Sequence, residues 1–361
     1  MNLPEWPELF GGGPKSKTFR FVRKRGTPLL LLPKRAALAA RTLQLYPAQT
    51  PFARLSRAML ALALRSHLPT LVRSESLPFS VAAPIPSFVR ECFGQDSDFG
   101  ILLGNANAPG RRWILLIFDI HDQPCGIVKA GVSERARELI RAEGAFLEKL
   151  PQGADFFPKL RGKLESSVSA ICMDFLPGQP PRDASLIRAT LAPWLKTGKR
   201  RLVEFTAWAR VRESDAPKHA IELIENSLIS HGLSEALSHG DFAPWNVREH
   251  KGEWKVLDWE RGEDAGVPGW DWLHFRVQVD VLVRRKSAQD VLACLVEMMR
   301  GAEFQTYAGR AGFSGKEISI LCSYLAHAIY VNRQTEGLDT LKSLFDLSVV
   351  MLRAKAGSQS D

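Results

Sequence analysis

The sequence predicts an α+β protein of two unequal lobes: a small antiparallel β lobe carrying one helix, a larger mainly helical lobe, and an N-terminal extension in front of both. Three observations predict it. Short β-type runs separated by tight turns fill residues 96–175. One helical period, residues 134–150, stands among them. Beyond residue 176 the pattern is helical except for a patch at 237–260.

The elements follow in order. Residues 1–90 read as a separate section, dense in Pro and Gly up to Pro33, with helical stretches at 35–46 and 52–68. In the second stretch Phe52, Leu55, Met59 and Leu62 recur at helical spacing, with Arg54, Arg57 and Arg65 among them. Pro69, Pro78, Pro84 and Pro86 are expected to break regular structure. Residues 99–103 form a short apolar run, 104–110 a turn-rich loop, 113–118 (WILLIF) and 126–129 (GIVK) two strands. In the helix 134–150, Leu139, Ala142, Phe146, Leu147 and Leu150 share the apolar side. Residues 168–175 (VSAICMDF) form another strand, ended by Leu176-Pro-Gly. Helices are then expected at 183–195, 202–212, 219–230 and through 271–355, with a strand at 254–257. The domains read as 1–90, 91–176 and 177–361.

Composition narrows the class. Apolar residues make up 45% of the 361, so a large core can form and disorder is excluded. No apolar run approaches the roughly 20 residues needed to span a bilayer. The opening MNLPEWPELFGGG has acids and prolines where a secretion signal needs basic and then apolar residues, so a cytoplasmic location, with a peripheral membrane contact in view, is the expectation. The five cysteines are scattered and none forms a CxxC pair, which argues against a zinc site or a disulfide framework. The net charge of +9 is local: residues 1–75 hold thirteen basic and three acidic residues, and the rest is nearly balanced. A solubilising face or a cover for another domain is the plain reading of this basic section. Contact with an anionic membrane or a protein is the alternative, since the 52–68 helix combines an apolar stripe with arginines; no nucleic acid is expected.

Chemistry concentrates in Ser238-His-Gly-Asp-Phe-Ala-Pro-Trp-Asn246, a loop by its Gly and Pro, presenting Asp241 and Asn246. Asp258 follows at the end of the strand-like WKVLD. Three oxygen-bearing side chains on neighbouring loops suit Mg²⁺, which prefers hard oxygen ligands. Phosphoryl transfer needs metal ligands, a cation on the phosphates and a carboxylate near the attacking hydroxyl. Lys129, at the end of GIVK, is the candidate cation, and Glu143 in the following helix its ion-pair partner. Glu260, Glu263 and Asp264 read as a solvated acidic run, with contact to metal or a cationic substrate the alternative, and Trp245, Trp259, Trp270 and Trp272 read mostly as packing, with one available to face a substrate ring.

HGDFAPWN resembles the HGDxxxxN catalytic loop of the aminoglycoside phosphotransferase and choline kinase family. VLDWERGEDAGVPGWDWLHF is similar to that family's downstream run, in which DWE stands for the DFG of protein kinases. RAEGAFLEKL and ICMDFLPG resemble its ExxxLxxL helix and hinge strand. The four pieces occur in the family's order and span residues 96–285. The resemblance implies a protein-kinase-like fold and an ATP- and Mg²⁺-dependent phosphotransferase acting on a small-molecule hydroxyl. It implies Asp241 as catalytic base, Asn246 and Asp258 as metal ligands, and Lys129 with Glu143 as the phosphate-anchoring pair. It further implies adenine contacts from the backbone of Met173, Asp174 and Phe175, and structural support of the loop by His239 and Asp271. Gly100, Gly104 and Gly110 do not form GxGxxG, which leaves the phosphate-covering loop undefined, and no Walker motif occurs. The alternative reading is a non-catalytic nucleotide-binding module of the same fold, acting as a regulatory or membrane-associated partner.

Overall fold

A computed structural model describes residues 3–13, 15–46, 48, 51–66, 72–94, 97–104, 110–151, 153–333 and 336–357. The expected turn at 105–109 and Pro69 lie outside them. The chain divides into two compact units, Met1–Gly178 and Gln179–Asp361.

The first unit is built on one antiparallel sheet. Its strands are β1 (Ser16–Lys24), β2 (Thr27–Pro33), β3 (Arg73–Pro78), β4 (Asp98–Leu103), β5 (Trp113–Phe118), β6 (Pro124–Gly131), β7 (Leu160–Glu165) and β8 (Ser169–Asp174). They are arranged β3-β1-β2-β4-β5-β6-β8-β7. The helices are α1 (Trp6–Phe10), α2 (Ala36–Thr42), α3 (Pro51–Arg65), α4 (Pro84–Phe93) and α5 (Glu134–Lys149). The α+β class and the single helix between β6 and β7 are as the sequence predicts.

The separate section expected over residues 1–90 is corrected. Strands β1, β2 and β3 extend the sheet that β4 to β8 form, because β2 pairs with β4 through Leu30–Leu102 and Leu31–Ile101. The run Leu29 to Leu32 is a strand covered on both faces, which is why it shows no alternation. Leu31 joins the core with Trp6, Phe10, Phe19, Phe99 and Trp113. Leu30 and Leu32 point the other way, against Ala39, Ala40, Leu43 and Leu64 of the helical cover. The first residues also belong to this core. Trp6 stacks on Phe10 with centroids 4.2 Å apart, and its Nε1 donates to Pro78 O at 2.6 Å. Each such buried aromatic contributes about 1.5–3 kcal/mol. Pro84 and Pro86 do not break structure; they fall in the first turn of α4, where the missing N–H costs nothing.

One close approach fixes how α2 lies on the sheet. Thr42 is fully buried and its hydroxyl donates to Leu38 O at 2.8 Å. A Cβ on Gly100 of β4 would fall inside the Thr42 side chain. Gly100→Ala is therefore expected to lower stability by about 1–3 kcal/mol through overpacking, read as a lower urea midpoint of the full chain. An unchanged midpoint would show that α2 shifts freely.

The second unit has strands β9 (Leu195–Arg200), β10 (Leu233–Ser238), β11 (Val247–His250), β12 (Glu253–Val256) and β13 (Glu263–Gly266). A three-stranded sheet runs β13-β10-β9, and β11 with β12 makes a hairpin. Around them lie α6 (Ile187–Leu191), α7 (Thr206–Arg212), α8 (Lys218–Leu228), α9 (Trp270–Gln278), α10 (Ala288–Arg300), α11 (Ala302–Ala311), α12 (Glu317–Ala326) and α13 (Leu338–Gly357). Every residue of α12 is buried, so this helix is the unit's axis, apolar nearly all round. The helix expected at 183–195 is shorter, because Leu195 turns into the edge strand β9. No helix of the described residues is long and apolar enough to cross a membrane.

Candidate active site

The HGDFAPWN loop leaves β10 and is fixed by three independent ties. Gly240 has φ +74°, and a Cβ there would stand 2.6 Å from the carbonyl of Arg261, so both the backbone region and the space require glycine. Asp271, in the first turn of α9, accepts from Ser238 Oγ at 3.1 Å, from His239 N at 2.8 Å and from Gly240 N at 3.0 Å. His239, fully buried, reaches Leu257 O through Nε2 at 2.6 Å and receives the Asp241 amide on Nδ1 at 3.2 Å. Those two bonds assign the neutral tautomer with the proton on Nε2. Asp271→Ala would leave three donors without their acceptor and is expected to cost about 3–5 kcal/mol. Unfolding by urea checks this, and a loss below ~1 kcal/mol would mean that water replaces the carboxylate.

Asp241 is held on both oxygens. Oδ1 lies 3.0 Å from His274 Nε2, and Oδ2 accepts from Asn246 Nδ2 at 3.1 Å. The other ring nitrogen of His274 meets the Tyr324 hydroxyl at 3.0 Å. If Nε2 donates to the carboxylate, Nδ1 of a neutral ring accepts from Tyr324, so the three groups form one directed chain. Burial pushes the Asp241 carboxyl up, but the hydrogen bond from His274, with smaller help from the Arg261 charge, outweighs it and holds the group below its ordinary range. The side chain is 31% exposed, so an incoming group can reach it.

His274 and Tyr324 were not among the residues expected at the site. His274 lies three residues after Asp271 on α9, so the two share a helix face, and that spacing was a usable signal. Tyr324 comes from α12, fifty residues from its partner, and has no local signature.

Asn246 gives its amide hydrogens to Asp241, since Nδ2 also reaches the Asp241 carbonyl at 2.9 Å. Its Oδ1 is thereby turned away from that carboxylate. The hairpin places Leu257 N on Asn246 O at 2.8 Å, which brings Asp258, the next residue, beside Asn246. Asp258 has φ +67°, a sparsely populated region for a residue other than glycine. An amide oxygen and a carboxylate at adjoining positions are hard donors of the kind Mg²⁺ takes, with water and phosphate filling its shell. Among the described residues no cluster of three or more His, Cys, Asp or Glu could hold a metal by itself.

The acidic run after Asp258 is solvated at Asp264, as expected, and half-buried at Glu260 and Glu263. Glu263 is in β13 and pairs with Arg210 at 3.0 Å, and Asp264 pairs with Lys196 at 2.6 Å. Trp259, Trp270 and Trp272 are core residues, as expected; Trp245 is half-buried.

In the first unit, Lys129 of β6 meets Glu143 of α5. Both carboxylate oxygens lie 2.6 Å from Nζ, with the lysine 6% exposed and the glutamate 0%. The pair forms because β6 turns directly into α5, which Ser133 caps by accepting from the Ala136 amide. Met173 and Asp174 end β8, and Phe175 follows it. The Asp174 amide donates to Lys159 O at 2.9 Å and the Phe175 amide to Cys125 O at 3.3 Å. The Asp174 carboxylate pairs with Arg161, and Phe175 packs beside Leu38, Leu116 and Phe118. These amides are committed to the sheet edge, so a base could use them only by displacing β-type bonds.

No protein-family model matches the chain, and no curated protein matches it. Among solved structures it is similar to a putative fructosamine-3-kinase from Haemophilus somnus 129PT, at 14% identity over 73% of this chain and 96% of that one, with a TM-score of 0.46. It is similar to the aminoglycoside phosphotransferase APH(4)-Ia in complex with ADP and hygromycin B, at 12% identity over 73% and 97%, TM-score 0.45. A choline kinase from Cryptosporidium parvum Iowa II is similar at 7% identity over 72% and 90%, TM-score 0.39.

Proposed function

We propose that this chain moves the γ-phosphoryl group of ATP to a hydroxyl of a small molecule of sugar or amino-alcohol type, in a Mg²⁺-dependent reaction. The observation that carries the reading is the Asp241 carboxylate, kept ionised and aimed by His274 and Asn246 on a loop that Asp271 and His239 immobilise. A fixed carboxylate near a hydroxyl nucleophile is what phosphoryl transfer asks of the protein beyond charge neutralisation.

In this mechanism Asp241 orients the acceptor hydroxyl and takes its proton. The hydroxyl oxygen forms a bond to the γ-phosphorus as the bond from that phosphorus to the bridging oxygen of ADP breaks, and the electron pair leaves with ADP. His274 holds the carboxylate in line and stabilises its charge before the transfer. Asn246 and Asp258 would hold Mg²⁺, which neutralises phosphate charge when bound. Lys129, kept extended and charged by Glu143, would anchor the nucleotide phosphates.

Residues 276–361 contain eleven basic and nine acidic residues. That balance lacks the acidic excess a polycationic acceptor would favour, which weighs against an aminoglycoside more than against a sugar or a singly charged amino alcohol. A coupled ADP-release screen against sugars, amino alcohols, aminoglycosides and nucleosides tests the reading. Acceptor-dependent and Mg²⁺-dependent ADP release is the expected result. Nucleotide binding without transfer to any acceptor would overturn it in favour of a non-catalytic nucleotide-binding module.

A further inference from the structure

Helix α3 turns an apolar stripe to solvent. Phe52, Leu55, Met59 and Leu62 are 80%, 59%, 64% and 64% exposed. Their spacing of three and four residues puts them on one side of the helix. The other side is already satisfied: Leu64 is buried, and Leu60 and Ala61 pack with it against Leu30, Leu32 and Leu43. The stripe is therefore not a core face left open. It is a second apolar face on a helix that is already docked.

The charge on this helix has one sign. It carries Arg54, Arg57 and Arg65 and no acidic residue. Arg54 donates to Ala48 O at 3.2 Å and Arg57 to Tyr46 O at 3.0 Å, so their hydrogen bonds go to backbone and leave the charge uncompensated. Among the described residues no ion pair involves Arg54, Arg57 or Arg65, whereas Arg23 pairs with Glu75 and Arg35 with Asp122 in the same unit. Residues 1–75 as a whole hold thirteen basic and three acidic residues. Arg54 and Arg65 border the apolar strip, whereas Arg57 shares the docked side with Leu60, Ala61 and Leu64.

An anionic lipid surface supplies an apolar phase and anions at the depth separation of a helix radius. We propose that α3 lies in the interface of an anionic phospholipid bilayer, with Phe52, Leu55, Met59 and Leu62 among the outer acyl carbons and Arg54 and Arg65 at headgroup phosphates. A second copy of the chain fits less well, because two such helices would bring like charges together with no carboxylate on either to neutralise them. The proposal is independent of the phosphotransfer reading.

The test is co-sedimentation of the full chain with vesicles of phosphatidylcholine alone and of phosphatidylcholine mixed with phosphatidylglycerol, at low and raised salt. Truncation at residue 90 is not a usable control, since it would remove three strands of the sheet. Wild type is expected on the mixed vesicles at low salt and to dissociate as salt rises. Leu55→Ser/Met59→Ser/Leu62→Ser, at exposed positions, is expected to lower binding about tenfold or more. Arg54→Gln/Arg65→Gln is expected to lose about fivefold per arginine and with it the preference for phosphatidylglycerol. Unchanged thermal unfolding in both variants keeps the comparison one of surface alone. Absence of wild-type binding to mixed vesicles at low salt, equal binding to both vesicle types, or full binding by the triple serine variant would each overturn the proposal. So would a wild-type dimer that the triple variant dissociates, with no vesicle binding, which would assign the stripe to a second copy.

Discussion

Asp241→Ala is expected to lower acceptor-dependent ADP release by about a thousandfold or more, because the group that takes the hydroxyl proton is gone and nothing beside it can substitute. Its neighbours are poor replacements: Asn246 is not basic, and His274 presents to this point the nitrogen that bonds the carboxylate. The fold should persist. Asn246 keeps its bond to the backbone carbonyl of residue 241, and the side chain's 31% exposure lets water meet the freed donors. Unfolding by urea run beside the assay separates loss of chemistry from loss of structure; turnover equal to wild type would remove Asp241 from the mechanism. His274→Phe sharpens the test. Burial pushes the Asp241 carboxyl up and His274 pulls it down, so without His274 the acid limb of the rate profile should move to higher pH. A merely structural role for His274 would lower the rate without moving that limb. The sign for stability follows from the same shift. A depressed folded pKa stabilises fully above the unfolded value, and that contribution goes as pH falls through the folded value.

Glu143→Ala should be the most destabilising single change at the candidate site in the first unit. It leaves the Lys129 ammonium, 6% exposed, without the carboxylate that touches it at 2.6 Å. Breaking a buried pair from one side costs about 3–5 kcal/mol, readable as a lower urea midpoint. Lys129→Met/Glu143→Leu removes both charges and keeps apolar volume, and should recover most of that loss. If Lys129 anchors phosphates, the double variant should still fail to bind ATP by calorimetry. Tight ATP binding by a stable double variant would assign the pair to structure alone. A Glu143→Ala loss below ~1 kcal/mol would mean that Lys129 reaches water by snorkelling.

The elements nearest the candidate chemistry were legible because their signals are local. WILLIF, GIVK and VSAICMDF each carry an apolar strand run within eight residues, and the helix at 134–150 a clear period. Positions of Lys129 and Glu143 on adjoining elements followed from those runs. Strands β9 and β13 were missed because LKTGKR is polar and largely exposed and EDAG is four residues with no β-branched or aromatic side chain, so no alternation marks them. The N-terminal section was misread for the opposite reason. Its run of leucines is buried on both faces, and such a run looks alike in strand and helix.

By itself the sequence determined the loop that presents Asp241 and Asn246, since a glycine, a proline and their spacing leave the backbone few alternatives. It also determined which oxygen and ammonium groups are available for phosphate and metal. Only the tertiary structure decided what holds them. The Asp241–His274–Tyr324 chain joins residues 33 and 50 positions apart, and such contacts are chosen by packing among helices, not by any local preference. The committed amides of Asp174 and Phe175, and the first ninety residues' place in the sheet, were likewise settled by pairing across distance. A strand shows in its own residues that it will pair; its partner is set by which edges and apolar faces remain to be covered.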